Sequence, residues 1–385
     1  MDTVTNKIYV DHQDSDDITV IDGATNSTIT VAVGKASSTL DFTSFKRPVD
    51  QEFARNRPHY IAVNPSTNKV YVTNLASNDV TVIDGKTNSV TTIPAGLHPL
   101  AIAVNYTTDK IYVSNKDSDG VTVIDGKTNR TNVVRVKEQW PGNIVINETT
   151  NMVYISCGNS KNPGAFPTRH PVIIDGNKDT IRTFIDDPCW TQVAIDPNAN
   201  RIYEGGLSAA PGYAGHIIDC TSNRSTIVKA PTPLEWVTSV AVNPNTHRAY
   251  YSNVSGKKGD PVRSEIAIVG GLTGEIQEVK LGSLLPGDIA VDSVRNKIYI
   301  TYFESDTVTE IDGASNAVST VTTGAGNGNV TRDLGDTLVE GIMAGGTGKR
   351  PSQIVVNPVT NKIYVLNQKS SSVTVIDGNL VVAGK

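Results

Sequence analysis

Residues 99–137 read PLAIAVNYTTDKIYVSNKDSDGVTVIDGKTNRTNVVRVK, and four short apolar runs stand out in them. They are Leu100–Asn105, Lys110–Ser114, Val121–Asp125 and Asn132–Val136. Val, Ile and Tyr dominate each run, and apolar and polar positions alternate, which is strand chemistry. Between them stand Thr107-Thr108-Asp109, Asp117-Ser118-Asp119-Gly120 and Gly126-Lys127-Thr128-Asn129. Such Asp, Asn and Gly clusters tolerate the backbone of tight turns. The stretch therefore predicts four antiparallel strands, here called a, b, c and d, in about 40 residues, the period of a propeller blade.

The same unit recurs along the whole chain. Asn-Lys-aliphatic-Tyr opens strand b at Asn6, Asn68, Asn296 and Asn361, and looser copies begin at Asp109, Asn151, Asn200 and His247. Val-x-Val-Ile-Asp-Gly or a variant follows, ending at Gly23, Gly85, Gly126, Gly176, Gly313 and Gly378. Two copies are degraded, at Ile218-Asp219-Cys220 and Ile268-Val269-Gly270. A two-layer sandwich of about 30 strands would exceed ordinary sheet sizes, whereas radial closure accommodates the count. The prediction is all-β: one β-propeller of four-stranded antiparallel blades. The units are 1–34, 57–96, 97–137, 138–187, 188–231, 232–282, 283–323 and 347–385, with insertions at 35–56 and 324–346. Eight blades are expected, the first without its inner strand and the last using Asn379–Ala383 as strand d; seven is the alternative.

Tyr71-Val72-Thr73-Asn74, with the near copy Tyr112-Val113-Ser114-Asn115, resembles the YVTN-repeat β-propeller family. The resemblance runs through essentially the whole chain. It implies a propeller, usually seven-bladed, of a secreted or cell-surface bacterial or archaeal kind. It implies little about chemistry.

Composition narrows the partners. The net charge is −5 with no block of like charges, which argues against nucleic acid and anionic membrane. No apolar run approaches the ~18 residues of a membrane helix. Met1 is followed at once by the middle of a repeat, so a trimmed N-terminus is expected, any export signal lost with it. Secretion, a periplasmic or cell-surface placement, and a monomer are the corresponding expectations. Cys157, Cys189 and Cys220 form neither a spaced metal pair nor a disulfide framework, and buried inert thiols are expected.

Function is expected where the long connections are. Every long insertion falls in b–c (158–171, 207–215, 254–264) or d–a (35–56, 324–349), and in up-and-down blades those share one face. Aligned copies of strand a begin on that face. Arg57, His98, Trp140, Trp190, Trp236 and Arg350 are expected around a channel mouth as a ligand rim, with Tyr60, Asn143, Gln192 and Asp288 just below. Aromatics supply contact area and Arg supplies bidentate anion contacts. His12, His59, His98, His170 and His216 are placed on the same face, and His247 in an a–b turn. His59, His98 and Asp288 are candidate ligands for a divalent metal, zinc by the imidazoles or calcium by the oxygens of Asn143, Gln192 and Asp288. Glu204 stands at a strand-b place that is Val or Ile in most copies. A carboxylate there must be paired or protonated, an environment that suits a general acid or base; a bonded, structural Glu is the other reading. Glu204, His59 and His98 are thus the candidate catalytic groups. No Gly-x-Ser-x-Gly elbow is present. Two functions stay open: a hydrolase of small esters, lactones or phosphotriesters, and a non-catalytic extracellular binding or surface-layer module. The partner is then a small-molecule ligand or a cell-surface component.

Overall fold

The structure is a computed structural model of the chain. It describes residues 1–12, 15–34, 58–118, 120–136, 141–157, 171–184, 192–205, 213–229, 236–255, 263–303, 305, 307–322, 330–333, 351–367 and 372–378. Among these residues every regular element is a β-strand. The strands form eight antiparallel sheets, seven of four strands and the first of three. These are the blades of an all-β propeller, eight in number, and among the described residues blade 1 shows no strand a, as expected. Two compact units divide the chain: Met1–Thr191 holds blades 1–4, and Gln192–Lys385 holds blades 5–8.

Blade 3 shows why the repeat folds as it does. Strands a to d are Pro99–Asn105, Lys110–Asn115, Gly120–Asp125 and Thr131–Arg135. In the a–b turn, the Asn105 side-chain oxygen accepts the amides of Thr107 and Thr108 at 3.0 and 3.1 Å. Asp109 then takes φ = 56°, a left-handed geometry that Asn and Asp tolerate. The c–d turn repeats this, with Asp125 accepting from Lys127 and Thr128, and Asn129 at φ = 58°. Gly126 must be glycine because a Cβ there would lie 2.4 Å from Asp109 Oδ1.

The Asn-Lys-x-Tyr motif joins neighbouring blades. Tyr71, Tyr112, Tyr203, Tyr250 and Tyr299 on strands b are all buried, and each packs into a cluster shared with the following blade. Tyr71, for example, meets Ile102, Val104 and Ile111 of blade 3. Burial raises the phenolic pKa, to about 12 for Tyr203. The ammonium of Lys69 donates to Gly126 O of the next blade at 2.5 Å, and Lys110 to Gly176 O at 2.8 Å. Lys7 makes the same contact with Gly85 O. The last residue of strand a reaches the left-handed residue of the next blade: Asn64 Nδ2 to Asp109 Oδ1 at 2.7 Å, Asn105 Nδ2 to Asn151 Oδ1 at 2.8 Å.

Blade 8 departs from expectation. Its outer strand is Val330–Asp333, from the 324–346 insertion, paired with Ser372–Asp377 in the register Val330↔Val375. The edge expected for Asn379–Ala383 is thereby filled by an earlier segment. The tail itself lies outside the described residues.

Candidate functional site

The inner strands are bent before the core begins, and the bend positions the candidate residues. Pairing between strands a and b shifts register at Pro58/Tyr60, Pro99/Ile102, Pro141/Ile144, Val237/Ser239, Pro286/Ile289 and Pro351/Gln353. A bulge frees an amide from the ladder and re-aims the side chains beside it. In five blades a strand-b hydroxyl accepts that amide. Tyr60 N reaches Thr73 Oγ1 at 3.1 Å, Ala101 N reaches Ser114 Oγ at 3.0 Å, and Asn143 N reaches Ser156 Oγ at 2.8 Å. Ser239 N and Asp288 N are held at 2.9 Å by Ser252 Oγ and Thr301 Oγ1. The third letter of Tyr-Val-Thr-Asn is therefore the clamp of the site row. Sequence reading missed this role, although a hydroxyl recurring inside a buried strand was the available signal.

In the second unit the row comprises Gln192, Ser239, Asp288 and Gln353, one from each of four successive inner strands. Asp288 Oδ1 accepts from Ser239 Oγ at 3.0 Å and from Ile289 N at 2.9 Å, while Oδ2 lies 3.4 Å from Ile354 N. Asp288 keeps some exposed surface, yet the protein packed round it raises its pKa above the usual carboxylate range. The Ser239 and backbone donors oppose that rise. Gln192 is half-buried and Gln353 exposed, so two neutral carboxamides, each both donor and acceptor, keep exposed surface in the same row.

In the first unit, exposed Tyr60 places its hydroxyl 3.5 Å from Asn143 Oδ1. The contact passes over blade 3, whose equivalent residue is Ala101. His98 occupies the d–a turn at φ = 51°. Its Nδ1 lies 2.5 Å from Asp117 Oδ2 in the b–c turn of the same blade. The two side chains are 33% and 22% exposed, so the pair is open to solvent. His12 is tied to Thr19 Oγ1 at 2.8 Å, and burial lowers its pKa.

Glu204 sits on strand b of blade 5 (Arg201–Gly205), fully buried, directly opposite His216 on strand c (Tyr213–Asp219). Opposed residues share a sheet face with Cβ atoms about 4.5–5.5 Å apart. An acid and an imidazole thus replace Val113 and Thr122, the opposed pair of blade 3. His216, expected on the face of the long connections, lies in strand c just after the b–c connection and inside the sheet, 4% exposed. Tyr251 lies against this pair, its hydroxyl 3.4 Å from His216 O. Burial, then Tyr203 and Glu204, push the Tyr251 phenol well above its ordinary pKa.

Arg57, Trp140, Trp190 and Arg350 lie outside the described residues, as do the side chains of His59 and Trp236 and all of His170. His247 is in an a–b turn as expected, at φ = 56°, with Nδ1 2.7 Å from Asp196 Oδ2 of the preceding blade. Among the described residues no three His, Cys, Asp or Glu gather as a metal cluster. Cys220 is a free thiol raised to about 12, chiefly by burial and then by Asp219. Among the described residues no helix is long and apolar enough to cross a membrane.

No protein-family model matches the sequence. No curated protein matches it either. Solved structures do. Hydrazine synthase of Kuenenia stuttgartiensis is similar with a TM-score of 0.61 and 18% identity, covering 90% of this chain and 100% of that one. The Cps50 (Swd1) β-propeller domain of Myceliophteria thermophila has a TM-score of 0.55 and 9% identity, covering 83% and 97%. At such identities the likeness carries the fold and no chemistry.

Proposed function

We propose that the chain is an exported ligand-binding propeller of the YVTN-repeat kind. Its recognition row is the set of residues that open the inner strands, on the face expected to carry the long connections. The observation that carries this reading is Asp288: a partly exposed carboxylate, fixed by Ser239 and two backbone amides, flanked by outward-facing Gln353 and, two blades away, Gln192. A prearranged acceptor beside amide donors suits a small polar ligand or a polar group on a cell-surface component. Where that ligand is a metal, the oxygens of this row suit calcium better than zinc. Trp236 and Arg350 are proposed for its rim, and Arg57, Trp140 and Trp190 for the rim of the corresponding row in the first unit.

The reading is tested on purified protein by thermal shift against calcium, zinc and a panel of polar small molecules and neutral glycans. Asp288→Asn is expected to weaken the responding ligand at least tenfold, about 1.4 kcal/mol, with circular dichroism unchanged. A wild-type response that survives intact in the variant rules out the row.

The His98–Asp117 contact supports a second reading, hydrolysis of small esters, lactones or phosphotriesters. A carboxylate that orients an imidazole makes it a general base for water. Chromogenic substrates of the three classes test it. Turnover should fall about 100-fold or more in His98→Ala, and turnover equal to wild type would remove His98 from catalysis.

A further inference from the structure

Blade 6 breaks a turn chemistry that the other blades share. Strand c ends in Asp in seven of the eight blades, and in blade 6 it ends in Gly270. In blades 1, 2, 3, 5 and 7 that Asp caps the c–d turn in one way. In blade 3, Asp125 Oδ1 accepts Lys127 N at 3.0 Å, Thr128 N at 2.8 Å and Thr128 Oγ1 at 2.9 Å. In blade 7, Asp312 Oδ1 accepts Ala314 N, Ser315 N and Ser315 Oγ at 3.1, 2.9 and 2.8 Å. Two amides and a hydroxyl converging on one oxygen form a concave anion seat.

Blade 6 keeps the backbone of that seat. Gly270 N donates to Glu275 O at 2.8 Å and Gly274 N to Gly270 O at 2.6 Å. The matching bonds in blade 3 are Asp125 N to Arg130 O at 2.9 Å and Asn129 N to Asp125 O at 2.8 Å. Gly274 has φ = +70°, close to the 58° of Asn129. The amides of Leu272 and Thr273 therefore hold the places of the two amide donors, and Thr273 Oγ1 stands within the seat, 2.5 Å from where a Cβ on Gly270 would lie.

A cleft opens at the same point. Its volume is about 240 Å³, and Arg248, Ile268, Gly270, Gly271 and Thr273 line it. Arg248 stands opposite Gly270 in the ladder, where blades 1, 2, 3, 7 and 8 carry Lys. Its Nη1 donates to Gly313 O at 2.7 Å, and a guanidinium has five N–H donors in a planar fork that matches a carboxylate. Glu275 and His247 also line the cleft, each with a partner of its own. Glu275 accepts from Gln277 Nε2 at 3.0 Å, and His247 is held by Asp196 at 2.7 Å.

We propose that the blade 6 cleft binds the carboxylate of a small organic acid, seated where the Asp side chain sits in the other blades and paired with Arg248. The site is separate from the inner-strand row and does not depend on it. Acetate is the probe: amide NMR of the full chain at neutral pH, titrated with sodium acetate against sodium chloride at equal ionic strength. Leu272 and Thr273 amides should shift with acetate, saturating in the millimolar range, and stay still with chloride. Gly270→Asp supplies the carboxylate in cis and should abolish the saturable shift. Its φ lies outside the left-handed region, and only the Thr273 hydroxyl must rotate away from the new Cβ. Arg248→Gln and Thr273→Val should each weaken acetate, the former at least about tenfold. Equal responses to the two salts, or a folded Gly270→Asp protein that still binds acetate, would overturn the proposal. Should Gly270→Asp misfold, wild-type acetate affinity in both other variants would overturn it equally.

Discussion

Blade 3 and blade 5 share strand order and turn geometry, yet they solve the start of the inner strand differently. In blade 3 the bulge after Pro99 is clamped by Ser114, and the strand face bears Val113 and Thr122. In blade 5 the corresponding strand ends Tyr203-Glu204-Gly205, with Gly in place of the clamping Ser. There, pairing from Gln192 onward runs in continuous register. A Cβ on Gly205 would sit 2.7 Å from Val237 Cγ1, so the next blade occupies the space a Ser would need. Glu204 and His216 then replace the aliphatic and hydroxyl pair. The difference teaches that the tyrosine plug and the Asx turns hold a blade in place, while the strand-b end is free to vary with the site it borders.

Removing the shared part should cost most. Tyr112→Ala and Tyr203→Ala each delete a fully buried ring packed against the following blade, and a loss of about 3–5 kcal/mol is expected for both. Denaturant midpoints check it, and a much smaller loss in blade 5 would mean that its plug is not equivalent.

The opposed acid and imidazole come next. Glu204→Val alone, and His216→Thr alone, should each destabilise by about 1–3 kcal/mol, because the remaining polar group stays buried. The double variant restores the residue types of blade 3 and should recover part of the loss, through a coupling of about 0.5–3 kcal/mol. Strict additivity in that cycle would show that the two side chains do not interact.

Exchanging the hydroxyl sharpens the contrast. Ser114→Ala should cost about 1 kcal/mol by stripping the Ala101 amide of its acceptor. Gly205→Ser should cost at least as much by overpacking against Val237. Stabilisation by Gly205→Ser would mean that blade 5 simply lacks the clamp.

The smallest effect concerns what the two blades share. The Asp125 and Asp219 carboxylates are held below the usual range, first by the amides of Thr128 and Ser222. A depressed folded pKa adds stability that is present above the unfolded value of about 3.8 and is lost as pH falls through the folded one. Asp125→Asn and Asp219→Asn should therefore flatten the acid limb of stability against pH below about 4, each to a similar small extent. Acid titrations of the unfolding midpoint would show it, and an unchanged limb would remove the turn carboxylates from acid sensitivity.

Much of this was legible in the chain. Strand alternation, the Asn and Asp of the turns and the glycine after six of the seven strand-c Asp residues are local requirements of a hairpin, and they recur at fixed spacing. They therefore revealed the blades, their number and the blade without an inner strand. Glu204 was visible as a break in an aliphatic column. The opposition of His216 to Glu204 was not legible because the two lie 12 residues apart across a loop of unrepeated length. The outer strand of blade 8 was missed because Val330–Asp333 precedes the rest of its sheet in the chain and carries no copy of the repeat.

The sequence by itself determined the blade, because period, turn chemistry and apolar alternation act within about 40 residues. Only the tertiary structure decided where polar side chains point. The clamp of Asp288 by Thr301, its bond to Ser239 across 49 residues and the opposition of Glu204 to His216 are set by register between strands. Register depends on bulges and on packing against the next blade, and no local pattern encodes either.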